Sequence, residues 1–431
     1  VALDYVREIT TRFGPRPAGS RAEQQAAQWA AARMRDLGFQ NVRVEDFPLI
    51  TWERGAESVE VVGPYAQRLV GAALGHSPAT PEGGIEAEVA VFHTFEDLLA
   101  APAGSLAGKI AYVDGGEMVR MQNGSGYGPQ VRPRGAGPSE AAKRGAVAFV
   151  MRSVGTDNHR MPHTGTTRYV EGRVPVPAFT LAIPDADQLL RLAALGEPVR
   201  LRLSSTARTR ESHSQNVVGE LPGRTRPNEV IVLGSHMDSW DLGTGAIDDA
   251  AGGGITLGAA LAIAEQGRTA RTVRVVLYGS EEVSQPTAGS GGGPAYVTAR
   301  GPAEVASHII AGESDFGADR IYGLKLPAGA ANSPFGPAAQ RVLRPLGVLL
   351  KAEVETEGGV DVAPLAAAGV PVFGLQQDGT RYFDLHHTAD DTFDKIDPEQ
   401  LSQNVAAWAA LVWLIADSEV DFRAIASATP R

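Results

Sequence analysis

The stretch AGSRAEQQAAQWAAARMRDLGF repeats its apolar residues at helical intervals, with Ala26, Trp29, Ala30 and Leu37 falling together. Ser20 and Glu23 stand at capping-box spacing and Gly38 follows as a stop, so the pattern predicts an amphipathic helix. Over residues 56–205 the period changes. Short β-type runs such as EAEVAVF, GKIAYVDGG and VPVPAFTL alternate with Gly- and Pro-rich turns, with a helix expected near residues 139–144. This segment reads as a β-rich insert. From EVIVLGSH onward, apolar strands alternate with helical segments through DDAAGGGITLGAALAIAEQG, TVRVVLYGSEE, SHIIAGESD and VPVFGLQQ. Such strands predict an α/β fold, a mostly parallel sheet with helices on both faces. Ligands in such sheets collect at the carboxyl ends of the strands. A last helix over residues 398–416 places Trp408, Leu411, Val412 and Ile415 at core spacing, and the glycine-rich AGSGGGP from Ala288 predicts a mobile loop.

A chain of 431 residues exceeds what one compact core usually holds, which favours two domains or more. At 43% hydrophobic and 21% charged residues it has an ordinary globular composition, and no uninterrupted apolar run of about 18 residues predicts a membrane span. The net charge of −11, without clustered Lys and Arg, argues against nucleic acid as a partner. Cysteine is absent, which removes thiol nucleophiles, disulfides and sulfur-ligated zinc together. The opening VALDYV without Met gives an expectation of a removed leader and a secreted or periplasmic protein, with a cytoplasmic one not excluded.

The chemistry begins with VVLYGSEEVS, where Glu281 and Glu282 sit side by side past an apolar run. Adjacent carboxylates repel unless a cation lies between them or one takes a proton. Four other segments end alike: GSHMDSWD offers His236 and Asp238, GAIDDAAGG offers Asp248 and Asp249, AGESDFGA offers Asp315, and YFDLHHTADDT offers His386, His387 and Asp391. Singly, each reads as a solvated or capping residue. Jointly, groups placed just past separate strands and a Gly-rich turn converge on one crevice, and two divalent cations would relieve their repulsion. A His, Asp and Glu donor set without sulfur fits zinc best, with cobalt or manganese as alternatives. Asp248, between a Gly-rich turn and a helix start, is the candidate bridge between two ions. Glu282 then ligates a cation, while Glu281 stays free as the general base that takes a proton from an activated water.

These motifs, together with FGPRPAGS, SEAAKRGAVAFVMRSV, PHTGTTRY and DPEQLSQNVAAWAALVWLIAD, resemble the co-catalytic zinc aminopeptidase and glutamate carboxypeptidase family over nearly the whole chain. The resemblance implies one zinc on His236 and Asp315, the other on Glu282 and His387, with Asp248 shared and a cis peptide between Asp248 and Asp249. It implies that Asp238 orients His236 and that Asp391 does likewise for its neighbouring ligand, with Asp249 alongside them as a supporting carboxylate. His386 would help stabilise the oxyanion. It also implies a catalytic domain split over residues 1–55 and 206–431, and a protease-associated insert at 56–205. His93, His159 and His163 are expected outside the metal centre, although PHTGTTRY is a candidate border of the substrate. The implied activity is hydrolysis of dipeptides or short peptides with a free N-terminus, with a homodimer as the expected assembly. Two departures stand out: VSQPTAGSGGGPAY after the Glu pair is long, and His386 replaces the Tyr of many aminopeptidases. G-x-S-x-G and H-E-x-x-H are absent, which disfavours serine hydrolases and single-zinc proteases. A non-catalytic binding relative and carboxypeptidase-type cleavage remain the alternatives.

Overall fold

The computed structural model describes residues 1–169, 175–282 and 291–427. A five-stranded sheet runs in the order Gln40–Glu53, Arg208–Leu221, Arg271–Tyr278, Arg226–His236, His308–Glu313. Only the two pairings at one end are parallel: Arg226–His236 lies between Arg271–Tyr278 and the edge strand His308–Glu313, both running the same way. The other two pairings are antiparallel, so the expectation of a mostly parallel sheet is corrected to a mixed one. The reason lies in the connection. The chain leaves along Gln40–Glu53 and returns beside it along Arg208–Leu221, with Glu53 opposite Arg208, whereas parallel neighbours need a crossover helix.

Alternate residues of the inner strands face opposite cores. Ile231, Leu233, Val273, Val275 and Leu277 pack in one cluster with the helices Ala2–Phe13, Ala251–Glu265 and Pro398–Asp417. Val230, Val232, Val276 and Tyr278 pack in another with Gly292–Val305 and Ala363–Ala367, so helices cover both faces as expected. Trp408, Leu411, Val412 and Ile415 are fully buried. The stretch Ala246–Glu265 is long and apolar enough to cross a membrane by length and composition, but 89% of it is buried inside the protein, where its glycines admit close neighbours. A Cβ at Gly254 would lie 2.8 Å from the Ala2 carbonyl oxygen. The predicted early helix spans Arg21–Asp36. Ser20 Oγ accepts from the Glu23 amide at 3.1 Å, while the Glu23 carboxylate accepts from Gly19 rather than from Ser20.

Three expectations change. The VPVFGLQQ segment pairs with the main sheet through an isolated Ala311–Val372 bridge, and its strand Gly374–Gln377 pairs antiparallel with Ile321–Lys325 in a separate three-stranded sheet. The helix expected at 139–144 spans Tyr127–Lys143 despite Pro133 and Pro138 inside it. Gly and Pro mark breaks locally, but Gly137 lets this helix lie directly on the Phe149 ring, and packing outweighs propensity. The expected loop from Ala288 falls partly in residues 283–290, outside those described, and from Gly292 the chain is helical. Strands between Glu57 and Ser205 form an eight-stranded sheet, accompanied by the helices Phe95–Ala100, Tyr127–Lys143 and Ile183–Ala193.

Candidate metal centre

His236 closes the strand Arg226–His236, Glu281 and Glu282 follow Tyr278 by a two-residue turn, and Asp315 lies two residues beyond Glu313. Three adjacent parallel strands therefore deliver their ends to one crevice. Asp248 enters from the turn ahead of Ala251–Glu265, and His387 from the turn after the short helix Tyr382–Leu385. Backbone geometry at these turns is unusual. The Asp248–Asp249 peptide is cis, and His387 has φ of 59°, a left-handed conformation uncommon for a non-glycine residue.

The side chains converge in two groups that share Asp248. His236 Nε2 lies 3.2 Å from Asp248 Oδ1 and 3.3 Å from Asp315 Oδ1. His387 Nε2 lies 3.2 Å from Asp248 Oδ2 and 2.7 Å from Glu282 Oε2. Each Asp248 oxygen thus faces a different histidine and a different acid. Asp248 Oδ2 and Glu282 Oε1 are buried without a hydrogen-bond partner, the former because His387 is close but not aligned for a bond. Orphaned carboxylate oxygens beside imidazole nitrogens fit cations better than they fit one another. His236 with Asp248 and Glu282, and His236 with Asp249 and Asp315, are groups close enough to hold a metal.

The supporting contacts differ in part from those the resemblance implies. Asp391 does not reach His387. Its carboxylate accepts from the amides of Ala246 at 2.7 Å, Ile247 at 2.6 Å and Asp248 at 3.2 Å, fixing the turn that carries the shared acid. The Asp238 carboxylate stands 3.6 Å from His236 Nδ1, which is closer, at 3.0 Å, to the Asp238 carbonyl oxygen. That carboxylate accepts from the amides of Glu281 and Glu282 at 3.1 and 3.2 Å, which orients the acid pair. Asp249 accepts from the His236 amide at 3.1 Å and the Gly252 amide at 2.9 Å. Arg16 was not singled out from sequence, yet it is fully buried and donates to the carbonyls of Met237, Thr244 and Gly245, tying the His236 and Asp248 loops together. Its signal was a lone Arg between two prolines in FGPRPAGS.

His163 requires a correction. Expected outside the centre, it lies with Nε2 3.0 Å from His386 Nδ1, and with His386 and His387 it forms a third group whose ligand atoms lie close together. His386 Nε2 is 3.5 Å from Asp248 Oδ2, and its ring stacks on His387. Thr164 and Thr166 of PHTGTTRY also touch the centre, the latter through a bond to the Glu282 carbonyl at 2.8 Å. A segment 116 residues from Glu282 and 223 from its histidine partners could not be placed there by local pattern.

The electrostatics follow from crowding acids out of water. Burial, then Asp315, pushes the Glu281 carboxyl well above its ordinary range. Burial, then Asp248 and Glu281, does the same to Glu282. Asp315 is pushed up to about 6 by burial, partly offset by His236. Burial would also raise Asp248, but the neighbouring His386, His236 and His387 rings outweigh it and hold this acid well below its usual value. A cavity of about 800 Å³ opens on Asp248, Glu281, Glu282, Asp315, His386 and His387, and its lining also includes Tyr127, Arg134, Arg168 and Tyr169.

Residues 216–412 match the description "Peptidase family M28". The chain is 33% identical to carboxypeptidase Q of Mus musculus over 414 residues, covering 95% of this chain and 84% of that protein. A crystal structure of a peptidase M28 precursor from Shewanella amazonensis is 43% identical with a TM-score of 0.93, covering 97% of this chain and 94% of that one. A zinc aminopeptidase from Bacillus subtilis, at 20% identity, TM-score 0.69 and coverage of 97% and 95%, shares the fold. With its His, Asp and Glu ligand groups gathered at the strand ends, the chain belongs to peptidase family M28 and is a metallopeptidase.

Proposed function

We propose that this chain is a two-zinc exopeptidase that hydrolyses dipeptides or short peptides with a free N-terminus, with Glu281 as its general base. The observation that carries the reading is the division of the two Asp248 oxygens between the His236 and His387 groups. One ion would rest on His236, Asp315 and Asp248, the other on Glu282, His387 and Asp248. Zinc is favoured by the sulfur-free donor set and by the similarity to a zinc aminopeptidase, with cobalt or manganese as alternatives. Ions bound there polarise the scissile carbonyl and lower the pKa of a water to about 7.

Glu281 is half-buried beside the cavity and supplies a carboxylate outside both groups. It takes the proton of the attacking water and returns it to the leaving amine. His386 lines the same cavity and donates toward the oxygen on which negative charge develops. Residues 56–205 act as a protease-associated insert on a catalytic domain formed by 1–55 and 206–431, a division supported by the separate eight-stranded sheet and by its side chains in the cavity wall. A second reading, carboxypeptidase-type cleavage, is favoured by Arg134, whose Nε is buried in that wall without a partner and suits a free C-terminal carboxylate. A dipeptide satisfies both readings.

The test is Glu281→Gln assayed on dipeptides free or blocked at either end, alongside metal analysis by mass spectrometry. Turnover should fall by about 10²- to 10⁴-fold with metal content unchanged. Undiminished hydrolysis in that variant would overturn the role of Glu281, and binding of fewer than two metal equivalents by the unmodified protein would overturn the two-ion centre.

A further inference from the structure

We infer that residues 163 and 164 hold the adjacent rings of His386 and His387 in opposite tautomers, so that His387 presents a lone pair and His386 an N–H; His163 is thereby a positioning residue. The inference rests on the reading of His387 as a metal ligand. The two rings stack with centroids 3.5 Å apart and planes 17° apart, so ring placement alone does not give them different roles. The hydrogen positions do.

His387 is the simpler case. Its Nδ1 lies 3.3 Å from the Thr164 carbonyl oxygen, which can only accept, so Nδ1 carries the hydrogen. Nε2 then turns its lone pair toward Glu282 and Asp248, the form a ligating imidazole needs. The Thr164 amide in turn donates to the His387 carbonyl at 3.0 Å, which fixes the two backbones against each other.

For His386 the hydrogen shared with His163 decides. Between His386 Nδ1 and His163 Nε2, 3.0 Å apart, only one of the two nitrogens carries it. If His386 carried it, the neutral ring would aim the lone pair of Nε2 at the Asp248 carboxylate 3.5 Å away. His163 would then hold its own hydrogen on Nδ1, which is buried and has no partner. If His163 carries it, His163 Nδ1 is a bare acceptor and His386 points an N–H at Asp248 and the cavity. The second arrangement leaves no orphaned donor on His163 and turns no lone pair of His386 toward a carboxylate, and buried orphan N–H groups are the rarer defect. His163 is itself held by its amide, which donates to Ser153 Oγ at 2.8 Å, and by the Tyr127 ring against both His163 and His386.

His163→Phe keeps a planar ring without a donor, and His163→Gln restores an amide N–H near the position of Nε2. In the zinc-loaded protein, His163→Phe should lower kcat by about 10- to 100-fold with KM and metal content unchanged, and His163→Gln should recover most of the loss. Nitrogen-15 NMR of histidine-labelled protein should show His386 as the Nε2–H form and His387 as the Nδ1–H form before any substitution is made. Because that readout does not depend on turnover, it separates failure of the tautomer assignment from failure of the peptidase reading. His386 found as the Nδ1–H form, wild-type kcat in His163→Phe, equal damage in both variants, or a third metal equivalent lost with His163 would each overturn the inference.

Discussion

The two halves of the metal centre use the same kinds of donor and are supported in opposite ways. Around His236 the supports come from the five-stranded sheet and its flanking loops: Asp249 on the His236 amide, Asp238 beside Nδ1, and Arg16 across the Met237, Thr244 and Gly245 carbonyls. Around His387 they arrive from far away in the chain, with Thr164 on the ring, Thr166 on the Glu282 carbonyl and His163 on the neighbouring His386. The first half is completed within one sheet. The second depends on a segment carried with the eight-stranded sheet, so packing of that sheet reaches one group of ligands and not the other.

The strongest way to break this division is to remove what the halves share. Asp248→Asn should abolish stoichiometric metal binding at both sites and reduce activity by about 10⁴-fold or more, since proton transfer and electrostatic stabilisation are lost together. Metal analysis after dialysis reads the first effect and dipeptide hydrolysis the second. Asp391→Ala should weaken both ions by about 10- to 100-fold, because it releases the backbone amides of the turn that presents Asp248 without removing any ligating side-chain atom. A metal titration showing loss at only one site would contradict that role.

Thr166→Val sharpens the contrast, since it removes one hydroxyl from the His387 half alone. A metal titration should show the ion of the His387 half shifted by a few-fold, the scale of one neutral hydrogen bond, and the other unmoved. The smallest effect concerns the protein without metal. Burial, then Asp248, pushes Asp391 up to about 7, and burial, then Asp315, pushes Glu313 up to about 8. Acids whose folded pKa is raised bind more protons folded than unfolded. Stability therefore falls as pH rises from about 4, the unfolded value, through 7 to 8, and levels off above. Metal-stripped protein should melt lower at pH 8 than at pH 5, and added zinc should narrow the gap, as calorimetry at the two pH values would show.

Much of the site was legible because each ligand follows an apolar run or a Gly-rich turn, and those patterns mark strand ends without knowledge of the fold. The same reasoning misplaced what depended on distant partners. The resemblance implies that Asp391 supports His387, yet the closing of the chain gave it three backbone amides near Asp248. His163 is expected outside the centre because it falls in the insert that the resemblance implies, a kind of domain that shapes a cleft more often than it does chemistry. The sheet was expected to be mostly parallel because apolar runs record which faces are buried but carry no mark of the direction of the neighbouring strand.

The sequence by itself determined the donor types, the absence of cysteine, the helices with strong periodicity and the positions where acids end strands, all of which are local properties of residue chemistry and spacing. Tertiary structure alone decided that the oxygens of Asp248 part between two histidines, that Asp238 aligns the Glu281 and Glu282 amides, and that His163 meets His386 across 223 residues. Those contacts depend on angles and distances fixed only when the sheets and their connections close on one another, since a hydrogen bond is set by where two groups arrive and not by how far apart they lie in the chain.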